Sequence, residues 1–141
     1  MPEQPARRAR PHRPTDLPQL MALAQGLYYL VTGIWPLVSL GTFQKVTGPK
    51  ADDWLVKTAG VLITAIGLVL TRAGLRDRVP DEVPLLAVGS AVGLTGIDVV
   101  YAARGRISPV YLLDALAELL LVAGWAFAWP ARRGRDRPPE G

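Results

Sequence analysis

Four long apolar runs, at about residues 17–40, 54–71, 83–103 and 109–130, alternate with short segments rich in charge, glycine and proline. Each run reaches the roughly 18 residues that a helix needs to cross about 30 Å of hydrocarbon. The pattern therefore predicts an all-α protein, a four-helix transmembrane bundle occupying residues 16–130. The flanking segments 1–15 and 131–141 are rich in Pro and Arg and poor in apolar residues, so they are expected to be disordered basic tails. The first run is longer than the ~7–15-residue apolar core of a signal peptide and no A-x-A-like site follows it. It is expected to stay in the mature chain.

The punctuation between runs agrees with helices. Ser108 before Pro109 is a cap hydroxyl ahead of a proline, Asp52 and Asp53 place negative charge at the start of the second helix, and Pro84 falls in the first turn of the third. Pro36 lies inside the first run and should kink or end that helix.

Among lipid-facing helices the informative pattern is the stripe of small and polar residues, because an apolar face is as comfortable against lipid as against a neighbour. The first run carries Gln25, Tyr28, Thr32, Trp35 and Ser39, and the second Lys57, Gly60, Thr64, Gly67 and Thr71. The third carries Ala87, Ala91, Thr95, Asp98 and Ala102, and the fourth Tyr111, Asp114, Glu118, Leu121 and Trp125. Steps of three and four residues keep each stripe on one helical face. Gly60, Thr64, Gly67, Gly89, Gly93 and Gly96 read chiefly as positions of close helix approach.

Composition removes several chemistries. The chain has no cysteine, which excludes disulfides, thiol redox and iron–sulfur ligation, and its one histidine, His12, lies in the N-terminal tail. Neither a metal site nor a bound cofactor is expected. The net charge of +4 is distributed as topology rather than as a nucleic-acid footprint. Arg7, Arg8, Arg10, Arg13, Arg72, Arg76, Arg78, Arg132, Arg133, Arg135 and Arg137 fall on one side, against Lys45, Lys50, Arg104 and Arg106 on the other. By the positive-inside rule both termini are expected in the cytoplasm. Nucleic acid is not an expected partner; the lipid bilayer is.

The ionisable residues inside the runs are Lys57, Asp98, Asp114 and Glu118. A central Asp costs about 2.5–3.5 kcal/mol on insertion scales, and the Leu, Val and Phe residues of the fourth run together contribute roughly 4 kcal/mol the other way. Alone that helix would be marginal, so its acids need partners, protons or a wet cavity. At 1.5 Å per residue all four groups fall roughly 5–14 Å below the outer ends of their spans. Such residues commonly mark binding sites or proton relays. Asp114 and Glu118 are one helical turn apart and repel one another, so one of them is expected to keep its proton. The candidate ligand or ion site is accordingly Lys57, Asp98, Tyr101, Tyr111, Asp114 and Glu118, with no catalytic residue assigned. The alternative is a packing network in which Lys57, Arg104 or a tyrosine hydroxyl simply satisfies the acids. Between the first two runs, Phe43, Lys50 and Trp54 flank the turn Thr47-Gly48-Pro49 and are candidates for a loop that covers the acidic mouth.

The segments YYLVTGIWPLVSL, FQKVTGPKADDWLVKTAG and DVVYAARGRISPVYLLDALAE, within residues 20–129, resemble those of small four-span bacterial membrane proteins, loosely DoxX-like. The resemblance implies a four-helix integral membrane fold in the bacterial inner membrane and carries over no activity or site residue. Three functional classes remain open. A binding or transport module would hold a proton, cation or cationic small molecule at the acids, its thin wall completed by a homodimer or partner membrane subunit. A lipid-acting enzyme would use Asp114 or Glu118 as acid and base beside Trp35, Tyr101, Tyr111 and Trp125. A structural or accessory subunit would use the charges for helix register.

Overall fold

A computed structural model describes residues 16–133 of the chain. Among them there are five helices and no strand: α1 (Leu17–Val38), α2 (Leu40–Thr47), α3 (Asp53–Gly74), α4 (Glu82–Ala103) and α5 (Tyr111–Arg133). The four long ones are each apolar and long enough to cross a membrane. Their outward residues are large and apolar, with Leu85, Leu113 and Phe127 exposed by 75%, 67% and 76%. Lipid, not water, is the solvent that such a surface fits.

Helix limits follow local chemistry. Asp16 and Gln19 form a capping box at the start of α1, with Pro18 in the first turn. Pro36 does not stop α1 at once; the helix ends two residues later, where Ser39 adopts φ −147° and the chain turns into α2. This short helix lies in a segment expected to be only a connection. The Ser108 hydroxyl accepts from the Val110 amide at 3.4 Å, so the cap is where the sequence indicates, although regular α5 begins two residues after Pro109. Helix α5 continues through Arg133, so residues 131–133 are helical and not tail. The expected tails at 1–15 and 134–141 lie outside the described residues.

The tightest pairing is α1 on α3. A Cβ on Gly26 would lie 2.5 Å from the Thr71 nitrogen, one on Gly67 2.9 Å from the Gly26 carbonyl, and one on Gly33 2.7 Å from the Thr64 nitrogen. Gly60 closes the series against the Gly33 carbonyl at 2.8 Å. As residue numbers rise along α1 they fall along α3, so the two helices are antiparallel and their backbones touch through glycine. Without a hydrophobic drive between helices in lipid, this backbone contact supplies the dispersion that holds the pair.

Helices α4 and α5 form the second pair, and α1 joins the two pairs, running parallel to α4 and antiparallel to α5. Ala22, Ala87, Ala91, Ala115 and Ala128 let these backbones approach, while Tyr29 and Trp125 fill the space between them. Gly89, Gly93 and Gly96 behave otherwise than expected: a Cβ on any of them would meet nothing within 4 Å. They occupy the face of α4 opposite Ala87, Ala91 and Asp98, and none of the described helices covers it.

Candidate functional site: a carboxyl cluster between three helices

Between α1, α4 and α5 runs a line of polar side chains inside the apolar body. At the end near the α4–α5 turn, Asp98 of α4 and Asp114 of α5 lie within hydrogen-bonding reach of each other. Asp98 is 5% exposed and Asp114 is half-buried. The hydroxyl of Tyr28, from α1, donates to the Asp114 carboxylate. One turn deeper, Glu118 is wholly buried and accepts from the Tyr29 hydroxyl at 3.0 Å. Deeper again, Gln25 donates from Nε2 to the Ala87 carbonyl and accepts from Trp125 Nε1, both at 2.8 Å.

Local geometry explains how consecutive tyrosines serve different acids. Successive helical residues point about 100° apart, so Tyr28 and Tyr29 straddle the α5-facing side of α1 and reach Asp114 and Glu118, which are one turn apart on α5. Their rings lie 6.1 Å apart at 47°. Ser90 of α4 sits 3.3 Å from the Tyr29 hydroxyl, so that group is held from two sides.

The hydrogen bonds do not satisfy the cluster. Asp98 Oδ2 and Glu118 Oε1 are buried without a partner. The charged groups acting on Asp98 and Glu118 are other carboxylates, and among the described residues no Lys or Arg lies against either. A buried carboxylate with an open lone pair and an acid for a neighbour is costly. A proton shared between facing carboxyls, or a cation, would remove that cost. Among the described residues no group of three or more His, Cys, Asp or Glu converges closely enough to hold a metal ion.

Of the residues expected to form the site, Asp98, Asp114 and Glu118 are brought together. Lys57 is not: it is exposed on α3, a helix that packs on α1 rather than on α5. The reason is that the close approach at Gly60 and Gly67 turns the α3 stripe toward α1, leaving Lys57 at its outer end in the open. Tyr101 is 45% exposed and, unlike Tyr28 and Tyr29, makes no hydrogen bond to the acids. Tyr111 stands at its edge, where Lys50 Nζ lies 4.6 Å from the ring centroid while donating to the Thr47 carbonyl at 3.0 Å.

The loop residues separate in the same way. Gly48, at φ +86°, lets the α2–α3 connection pass beside Ser108, and that contact seats Lys50 on the first turn of α5. Phe43 packs edge-on against Trp35 with centroids 5.7 Å apart, and Trp54 is 67% exposed, so neither covers the acids. Tyr28, Tyr29 and Gln25 are the residues that the acid pattern does not single out as ligands. Gln25 and Tyr28 lie in the α1 stripe; Tyr29 lies one position outside it, and nothing in the spacing distinguishes it from a lipid-facing ring.

Comparison of the chain with protein families, with characterised proteins and with solved structures finds no match.

Proposed function

We propose that the protein is a multi-pass membrane protein that binds a proton or small cation at the intramembrane carboxyls Asp98, Asp114 and Glu118, and that the proton is the preferred ligand. One observation carries this reading: among the described residues two buried carboxyl oxygens, Asp98 Oδ2 and Glu118 Oε1, have no donor, and no basic side chain accompanies them. Ionisable groups at such depth are costly enough to lipid-embedded helices that they generally face an interior site or relay. A proton needs no cavity and no third ligand, which suits an interior filled by Tyr29 and Trp125. The distribution of Arg and Lys supports cytoplasmic termini, with the α4–α5 turn on the opposite side, and the resemblance to small bacterial four-span proteins supports an inner-membrane location.

The competing reading is a structural network, favoured by the tyrosine hydroxyls on Asp114 and Glu118. Infrared spectroscopy of the protein in lipid separates the two. A proton site gives a carboxylic-acid C=O band at neutral pH that weakens in Glu118→Gln and Asp98→Asn and is insensitive to added Na⁺, K⁺ or Mg²⁺. A band that vanishes on addition of one of these ions assigns the site to that cation instead. A spectrum with carboxylate bands alone, unaffected by the ions, leaves only the structural network.

A further inference from the structure

We infer that the carboxyl site exchanges its proton with one face of the membrane only, the face bearing the α4–α5 turn, so that the protein takes up protons without conducting them across. This rests on the reading of Asp98, Asp114 and Glu118 as a proton site. The polar line has an open end and a closed end, and different residues make each.

At the open end Asp114 is the half-buried member, three residues into α5 and about 5 Å from its start. Water and headgroups reach that depth, so protons arrive at Asp114 and its neighbour Asp98. The titratable and charged groups around them are Tyr28 and Tyr29 of α1, Glu118 and Tyr111 of α5, and Lys50, which rests on the Tyr111 ring. From α4 the cluster receives Asp98 itself and the neutral Ser90.

At the closed end the line stops at Gln25. Its amide is engaged at both poles, by the Ala87 carbonyl and the Trp125 indole, and a carboxamide, unlike a carboxyl, neither releases nor takes up a proton at ordinary pH. Beyond it, Ala22, Leu70, Ala73, Val79, Val83 and Ala128 pack into one buried apolar cluster. The next polar side chain of α1 in that direction is Gln19, six residues away, bonded to the Arg76 carbonyl at the helix end. Six residues of helix span about 9 Å, several times the ~3 Å reach of one hydrogen bond. Thr71 Oγ1, also buried and without a partner, belongs to the α1–α3 seam, where it faces Gly26 and not the carboxyls.

The test uses the full-length chain in liposomes of phosphatidylcholine and phosphatidylglycerol, with a pH-sensitive dye in the lumen and a potassium diffusion potential as the driving force. A cysteine at position 50 reports which side the α4–α5 turn faces. The expected result is no proton flux above that of protein-free liposomes, with the carboxylic-acid band following the pH of the bath on the side that labels position 50. Flux above protein-free liposomes that is lost in Glu118→Gln or Asp114→Asn overturns the closed end while leaving the proton site standing. A band that follows the pH of the opposite side, or of both sides, does the same. A band absent at every pH, with no flux, overturns the proton site itself and this inference with it.

Discussion

The Tyr29 hydroxyl donates to Glu118 Oε2 at 3.0 Å, a bond between two side chains that are both wholly buried and come from antiparallel helices. It is the deepest polar link between α1 and a carboxylate, and among the described residues Glu118 has no other donor. Tyr29→Phe should therefore destabilise the protein by about 1–3 kcal/mol, the cost of leaving a buried acceptor unmet. Combined with Glu118→Leu, the loss should be smaller than the sum of the two single changes. A double-mutant cycle measured by unfolding in mixed detergent checks this; strict additivity would mean the bond contributes nothing.

Two sets of helical glycines, Gly26 and Gly33 of α1 and Gly89, Gly93 and Gly96 of α4, have opposite expected behaviour. Gly26→Ala and Gly33→Ala drive a methyl into the α3 backbone and should each cost about 1–3 kcal/mol. Gly89→Ala, Gly93→Ala and Gly96→Ala meet open space and should be neutral or stabilising by up to about 1 kcal/mol, the helix-propensity difference. Thermal stability of the five variants in one detergent gives the comparison directly.

Gln25→Leu removes both the donor to the Ala87 carbonyl and the acceptor for Trp125 Nε1. The Trp125 indole loses its acceptor while the Ala87 carbonyl keeps the Ser90 hydroxyl at 3.0 Å, so a cost of about 1–3 kcal/mol is expected. Trp125→Phe keeps the Gln25–Ala87 bond but removes the indole donor together with part of a buried ring, and a loss of similar size is expected in the same assay, so Trp125→Leu, which removes still more of the ring, should cost more than Gln25→Leu. A Gln25→Leu loss below about 0.5 kcal/mol would mean that the amide contributes nothing to the seam.

Lys57→Met tests the separation of α3 from the acids. An exposed lysine with no carboxylate against it should be replaceable within about 0.5 kcal/mol. If Lys57→Met instead destabilises strongly and Asp114→Leu rescues it, the lysine and the acid are paired and the helix arrangement is different.

Sidedness is checked by chemistry at the loops. Cysteines at positions 50 and 106 should label together from outside intact cells, because Lys50 rests on the first turn of α5 and Arg106 lies in the preceding turn. Labelling of one but not the other would separate the two loops, and labelling of both only after permeabilisation would invert the topology.

How much of this was legible in the sequence depends on the range of the interaction concerned. The four long spans and their limits follow from local hydropathy and local chemistry, so Asp53, Pro84 and Ser108 announce starts that the structure contains, while the short α2 does not stand out from the connection it lies in. The inward stripes of α3, α4 and α5 are equally local: Gly60 and Gly67, Ala87 and Ala91, and Glu118 and Trp125 repeat at helical spacing and are buried. The depth of Asp98, Asp114 and Glu118 also follows from counting residues along a helix. Partner choice does not. Lys57 shares a stripe with Gly60 and a depth with Asp114, yet α3 turns that stripe to α1. Gly89 and Gly93 have the spacing of packing glycines and pack on nothing among the described residues. In lipid one apolar face is as well solvated as another, so which faces meet is decided by complementary shape on both helices at once. That complementarity seats Gly26 on Gly67, Tyr29 on Glu118 and Gln25 between Ala87 and Trp125. None of the three pairings is a property of either segment alone.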